Sequence, residues 1–208
     1  MTHSFDRDYW DQVWHGEQAP AMATSAPNPH LEQEAAGLVP GTALDAGCGA
    51  GAEAIWLAAR GWQVTAVDIA DEALAHGAER AAASALGDAV HWVRADLSTW
   101  APEQRYDLVT THYAHPAMPQ LEFYDRIAGW VAPGGTLLVV GHLHHGDHGH
   151  VHDHPPESAS VTAAAITERL DPATWEVVTA RESRRTMTGP GGHERPVDDV
   201  VVRATRRD

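Results

Sequence analysis

The segment Leu44-Asp-Ala-Gly-Cys-Gly-Ala-Gly51, followed seventeen residues later by Asp68 at the end of Val64-Thr-Ala-Val-Asp, constrains the chain more than any other feature. It reads as a strand, a turn almost bare of side chains, a helix start, and a second strand that closes on a carboxylate. Glycine at alternate positions, Gly47, Gly49 and Gly51, lets a backbone approach a ligand closely, because no Cβ stands in the way. An acid closing the following strand can accept two hydrogen bonds from the hydroxyls of a ribose. These parts meet at the carboxyl edge of a parallel α/β sheet, where a nucleoside would lie.

Two details narrow the nucleoside. The dinucleotide fingerprint has the spacing G-x-G-x-x-G, with a helix N-terminus aimed at a pyrophosphate. Here the spacing is G-x-G-x-G, and Asp45 sits two residues before the first glycine. A carboxylate there would repel a pyrophosphate but favour a ligand carrying an α-amino group and a sulfonium. On these residues the chain resembles the class I S-adenosylmethionine-dependent methyltransferases, whose motif is (D/E)-x-G-x-G-x-G with an acid ending the second strand.

The rest of the chain is patterned to match. From residue 40 onward strand and helix signals alternate, as in a parallel sheet wrapped by helices. Expected strands are Thr42–Ala46, Gln63–Ile69, Val90–Ala95, Tyr106–Tyr113, Thr136–Leu143, Trp175–Arg181 and Asp199–Thr205. Expected helices are Ala52–Arg60, 72–86 with Asp71 as its cap, Met118–Val131 ended by Pro133-Gly134-Gly135, and Ser160–Leu170. The fold class is therefore α/β: a Rossmann-like, seven-stranded, mostly parallel sheet with helices on both faces and the last strand antiparallel. Before it, Phe5, Tyr9, Trp10, Val13 and Trp14 form an aromatic stripe at helical spacing. The prolines between Ala19 and Pro29 indicate a loop, and Leu31–Leu38 a short helix. Residues 1–37 are expected to form an N-terminal helical lid, and residues 38–208 the methyltransferase domain, one globular unit overall.

The resemblance implies a site. It assigns Asp45 and the backbone of Gly47, Cys48, Gly49 and Gly51 to the amino-acid end of S-adenosylmethionine, and Asp68 to its ribose, with Ile69 against the adenine. Asp96 and Leu97 would contact the adenine edge, and Thr111 belongs with the cofactor contacts. Trp10 and Trp14 would fold over the cofactor as part of the lid, as in the tellurite-resistance and thiopurine types. At the end of the fourth strand, Thr110-Thr-His-Tyr-Ala-His-Pro116 departs from the (D/N)-P-P-(Y/F) of enzymes that methylate amino groups of nucleic acids or glutamine. His112, Tyr113 and His115 are instead candidates for a general base or for orienting the acceptor.

A histidine tract follows the fifth expected strand: seven of the chain's 15 histidines lie within residues 142–154. His142, His144, His148, His150 and His152 are candidate ligands for Zn²⁺, Ni²⁺ or Cu²⁺. A defined site holds three or four fixed ligands, so this redundant tract reads first as a solvated loop, and a metal is not expected to be required. A formal charge of −15 with 14 basic residues argues against nucleic acid as partner. The single cysteine, Cys48, excludes a disulfide framework and is too few thiolates for arsenite-type methylation. The opening residues are too polar for a signal peptide, and no apolar run approaches the roughly 18 residues of a membrane helix. The expectation is a cytoplasmic enzyme with a small-molecule substrate and no membrane partner; a homodimer is left open. It would move the methyl group of S-adenosylmethionine to an oxygen, nitrogen or sulfur nucleophile. The alternatives are a metal or metalloid detoxification methyltransferase and a non-catalytic metal-binding or S-adenosylmethionine-sensing protein.

Overall fold

The computed structural model describes residues 5–17, 19–143, 160–188 and 194–208. Seven strands form one sheet in the order β3-β2-β1-β4-β5-β7-β6. Five run parallel: β1 (Thr42–Ala46), β2 (Gln63–Asp68), β3 (Val90–Arg94), β4 (Tyr106–His112) and β5 (Val131–His142). The last strand, β7 (Glu194–Arg206), is antiparallel to both β5 and β6 (Trp175–Thr188). Chain order reverses between β1 and β4, and the residues leaving those two strands open a crevice at the carboxyl edge.

Central strands such as β1 and β4 are buried along nearly their whole length because helices cover both faces. One face packs under α6 (Gln120–Ala128) and α7 (Ala163–Thr167), through Phe123, Ile127 and Ile166. The other packs under α3 (Pro29–Ala35), α4 (Ala52–Ala58) and α5 (Asp71–Ala83), through Leu31, Leu57 and Leu74. A smaller cluster joins Trp14 of α1 (Arg7–Trp14) and Ala19 and Ala23 of α2 (Ala19–Ala23) to Ala50, Ala70 and Ala73. Among the described residues no helix is long and apolar enough to cross a membrane.

Several boundaries differ from expectation, each for a local reason. The proline-rich stretch contains α2, because Pro20 falls in its first turn, where a missing amide costs nothing. Asn28, rather than Leu31, marks the start of α3: its side chain accepts the amide of His30 at 2.9 Å. Asp71 does not cap α5 but is its first residue; its carboxylate binds Arg7 at 2.9 Å and Arg94 at 2.8 Å. Pro133-Gly134-Gly135 lies inside β5, in the irregular stretch between the Tyr106–Val131 and Leu108–Thr136 pairings. The final hairpin is much longer than the apolar runs within it. β6 is an edge strand whose polar residues meet solvent, so charges such as Glu182 and Arg184 are compatible with pairing.

Candidate active site

The turn after β1 is held from below. Gly47 and Cys48 donate their amides to the carbonyl of Val67 at 2.9 and 3.0 Å, and Gly49 donates to Asp68 Oδ2 at 2.8 Å. Asp68 Oδ1 accepts the amide of Ala70 at 3.0 Å. Asp68 therefore shapes the loop while lining the cavity above it. Gly47 has φ of +81°, and a Cβ there would stand 2.2 Å from that of Ala114. Gly47→Ala should therefore shift the loop or the end of β4, costing about 1–3 kcal/mol. Thermal unfolding should show a lowered midpoint. An unchanged midpoint would mean that this contact has slack.

The first turn of α4 is occupied by acids. Gly51 precedes the helix without a side-chain cap, and the amide of Ala54 is taken by Asp45, which is 1% exposed. The Oδ2 of Asp45 has no hydrogen-bond partner. Burial pushes this carboxyl well above the usual range, and the neighbouring Glu53 and Asp68 push it further. Glu53 accepts the amide of Asn28 at 2.9 Å. Its carboxyl is likewise raised by burial, against the pull of backbone amides and Arg80. Asp68 is raised by burial and lowered in part by its backbone donors. Three carboxylates at one loop, Asp45 buried and Glu53 and Asp68 half-buried, make a place for a cation, and the helix end that would receive a phosphate already meets Asp45.

Above the loop lies a cavity of about 1110 Å³. Its wall includes Asp68, Ile69, Asp96 and Leu97 on the β2–β3 side, and Trp10, Trp14 and much of residues 17–29 from the N-terminal segment. Asp96 Oδ1 accepts the amide of Ser98 at 2.8 Å, so it caps its own loop as well as facing the cavity. Trp10 Nε1 donates to the carbonyl of His115 at 3.2 Å, tying α1 to the residues after β4. Gly47, Cys48 and Gly49 line the cavity, but three of the residues assigned to the cofactor lie outside its wall. Asp45 lies beneath the loop. Gly51 faces the Trp92 ring, with which its Cβ would collide at 2.2 Å, so it serves packing. The Thr111 hydroxyl donates to the carbonyl of Ala46 at 2.8 Å and ties β4 to β1.

The residues ending β4 all reach the cavity but differ chemically. His112 is buried, neither ring nitrogen has a hydrogen-bond partner, and burial pulls its pKa down to about 3. It is a neutral imidazole at any physiological pH. Tyr113 has φ of +57°. Its hydroxyl donates to Asp199 Oδ1 at 2.7 Å and accepts from Asn28 Nδ2 at 3.1 Å and Arg185 Nη2 at 2.9 Å. Burial and the Asp199 charge raise its pKa, so it is a fixed neutral phenol, a poor base. His115 is 6% exposed and its Nδ1 lies 3.1 Å from Gln120 Oε1. Gln120 Nε2 donates to the carbonyl of Ala114 at 3.0 Å, so Oε1 is the acceptor, Nδ1 carries the proton, and Nε2 keeps the lone pair. His142 stacks on Tyr113 at 4.3 Å. The other candidate metal ligands, His144, His148, His150 and His152, lie outside the described residues, among which no three His, Cys, Asp or Glu form a metal-sized group.

Sequence reasoning missed a buried hub behind Tyr113. Asp199, wholly buried, accepts from His30 Nε2 at 3.1 Å, from Arg185 Nε at 2.6 Å and from Tyr113. These donors outweigh burial and hold its carboxyl below the ordinary value. Arg181 Nη2 lies 3.3 Å from His30 Nδ1, and its Nη1 binds Glu34 at 2.7 Å. The one sequence signal for this hub was Asp199 itself, a charge opening an otherwise apolar run.

Residues 43–135 match the model of a family described as a methyltransferase domain. Over 104 residues the chain is 36% identical to trans-aconitate 2-methyltransferase of Streptomyces avermitilis, a stretch that is 47% of this chain and 38% of that protein. It is 29% identical over 193 residues to thiocyanate methyltransferase 1 of Arabidopsis thaliana, covering 89% of this chain and 81% of the relative. The chain spans less than half the length of the first curated relatives it matches. Among solved structures, it superposes on 1,6-didemethyltoxoflavin-N1-methyltransferase of Burkholderia thailandensis, solved with 1,6-didemethyltoxoflavin and S-adenosylhomocysteine, with a TM-score of 0.67. The identity is 21%, over 97% of this chain and 87% of that one. At that identity the likeness is one of fold.

Proposed function

We propose that this chain, a class I S-adenosylmethionine-dependent methyltransferase by virtue of the domain at residues 43–135, moves a methyl group to an oxygen, nitrogen or sulfur nucleophile of a small molecule. The observation that carries this reading is one continuous cavity joining the glycine loop, Asp68 and Asp96 to His112, Tyr113 and His115. The residues fit the cofactor. Buried Asp45, with its unpartnered oxygen, Glu53 and Asp68 favour a positively charged amino acid sulfonium over a phosphate. Asp68 and Asp96 retain lone pairs for a ribose diol and an exocyclic amine, and Ile69 and Leu97 offer apolar surface to a purine.

The cofactor supplies a methyl group activated by a positively charged sulfur, so the chain's own work is positioning and proton handling. His115 is the candidate base, because Gln120 fixes its tautomer and leaves Nε2 to accept a proton from a neutral nucleophile. His112 can hydrogen-bond an acceptor but carries no charge. The N-terminal segment expected as a lid over residues 1–37 keeps water from the reacting atoms, with Trp10 anchored on His115. The acidic balance of the chain favours a small molecule over nucleic acid as acceptor.

The test is calorimetry with S-adenosylmethionine and S-adenosylhomocysteine, followed by transfer of labelled methyl to a panel of small hydroxy, amino and thiol compounds. Dialysis against a chelator is expected to leave both unchanged, because the sulfonium itself is the electrophile. Activity lost to the chelator and restored by Zn²⁺ or Ni²⁺ would draw the histidine tract into the machinery. No binding of either nucleoside would end the proposal.

A further inference from the structure

The part of the cavity contributed by the far side of the sheet offers a guanidinium where the glycine-loop side offers carboxylates. The loop, Asp68 and Asp96 follow β1, β2 and β3; beyond β4 and β5, in the final hairpin, Arg181, Arg185 and Arg203 face two carboxylates, Glu34 and Asp199. Arg181 and Arg203 both sit on Glu34, while Arg185 pairs one to one with Asp199. Of the three, Arg185 lines the cavity.

Its orientation is fixed twice, by Nε to Asp199 Oδ2 at 2.6 Å and by Nη2 to the Tyr113 hydroxyl at 2.9 Å. Asp199 is itself pinned by His30, so this guanidinium is held on a rigid base. Nη1 enters no hydrogen bond with the described residues, and the side chain is 21% exposed. The same cavity is lined by His112, whose two buried ring nitrogens have no partner. A neutral imidazole left so is a donor and an acceptor without a mate, a cost that a bound ligand would relieve.

A pre-oriented guanidinium edge and an unmatched imidazole suit a planar anion. We propose that Arg185 is a specificity residue of this site, and that the methyl acceptor carries a carboxylate held by Arg185 Nη1 with His112 as its second hydrogen-bonding neighbour. The inference rests on the methyltransferase reading above. The carboxylate is a handle, its lone pairs spent on the guanidinium, while a second group of the acceptor is the nucleophile. As that atom bonds to the methyl carbon, the carbon–sulfur bond breaks with its electron pair going to sulfur. The proton of a neutral nucleophile passes to His115 Nε2, and the carboxylate is unchanged.

The test uses the full chain saturated with S-adenosylhomocysteine, titrated by calorimetry with acid and amide pairs: benzoate and benzamide, cinnamate and cinnamamide, succinate and succinamide. At least one acid should bind about tenfold or more tighter than its amide. Arg185→Gln should erase that preference and leave S-adenosylhomocysteine affinity within about twofold. The paired change Arg185→Gln with Asp199→Asn, which leaves no buried charge unmatched, should do the same. Equal binding of acid and amide in every pair overturns the inference, and the unmodified protein decides this even if a variant fails to fold. So does a loss of S-adenosylhomocysteine affinity as large as the loss for the acid, since the anion at Arg185 would then be the cofactor's own carboxylate. Failure of the unmodified protein to bind S-adenosylhomocysteine strikes the methyltransferase reading itself; binding without acid preference removes this inference alone.

Discussion

Asp45→Asn is expected to raise the thermal midpoint of the ligand-free protein while weakening its affinity for S-adenosylmethionine at least about tenfold. The two effects share one cause. Asp45 is buried beside Glu53 and Asp68 with an oxygen that nothing satisfies, so its ionised form is penalised in the fold. An amide keeps an acceptor for the Ala54 amide and removes the repulsion. In a domain of this size about 1 kcal/mol of relief appears as roughly 2–4 °C. The cofactor's positive charge needs that repulsion as its attraction. A tenfold loss is about 1.4 kcal/mol, well inside the about 4 kcal/mol for unit charges 4 Å apart at an effective dielectric of about 20.

The sign with pH follows. Asp45, Glu53 and Asp68 all have raised values, so the fold is relatively favoured when they are protonated, and that contribution is lost as pH rises through their raised range. Binding of a cation prefers them ionised and releases protons. Affinity should therefore increase with pH across that range while ligand-free stability falls, and calorimetry in buffers of different ionisation heat would register the released protons. In Asp45→Asn both slopes should shrink. A variant that is less stable and binds as tightly as the parent would refute this account of the loop.

His115→Ala is expected to lower turnover about a hundredfold or more, the range typical of a positioned base, and to leave S-adenosylmethionine affinity within about twofold. Gln120→Leu should reproduce part of the loss, since the imidazole would no longer be held in the tautomer that presents Nε2. His112→Ala should act differently, by weakening the acceptor rather than by slowing proton removal, because its neutral ring is no base at working pH. Stopped-flow or quenched single-turnover measurements with a neutral and a pre-ionised nucleophile separate the cases. If His115→Ala slows a thiolate as much as a neutral alcohol, its role is in packing.

What was legible in the sequence divides by range. The glycine loop, Asp68 and the alternation of strands and helices are local signals, and the seven-stranded, mostly parallel sheet with its reversed last strand agrees with them. β1 matches its expected limits residue for residue. Local signals failed where tertiary context decides. The long hairpin hides behind its charges because an edge strand tolerates them, and Pro20 reads as a breaker although a first turn accepts it. Gly51 and Thr111 sit in motif positions but are used by Trp92 and Ala46, partners no spacing rule names. The hub of Asn28, His30, Tyr113, Arg185 and Asp199 was out of reach, since single hydrogen bonds in it join residues up to 169 positions apart.

That separation has a consequence for how the protein comes into being. During synthesis the glycine loop and most of the parallel strands leave the ribosome well before Arg185 and Asp199 exist. His30 and Tyr113 must wait, half of a polar cluster with no counter-charge, until the last tenth of the chain arrives. Such distant closure is slow because the loop entropy is spent before any contact repays it. The glycine-loop half of the cavity is thus assembled early and the opposite wall last, so a chain released short of the final hairpin would own the loop and lack the wall that Arg185 and Asp199 hold in place.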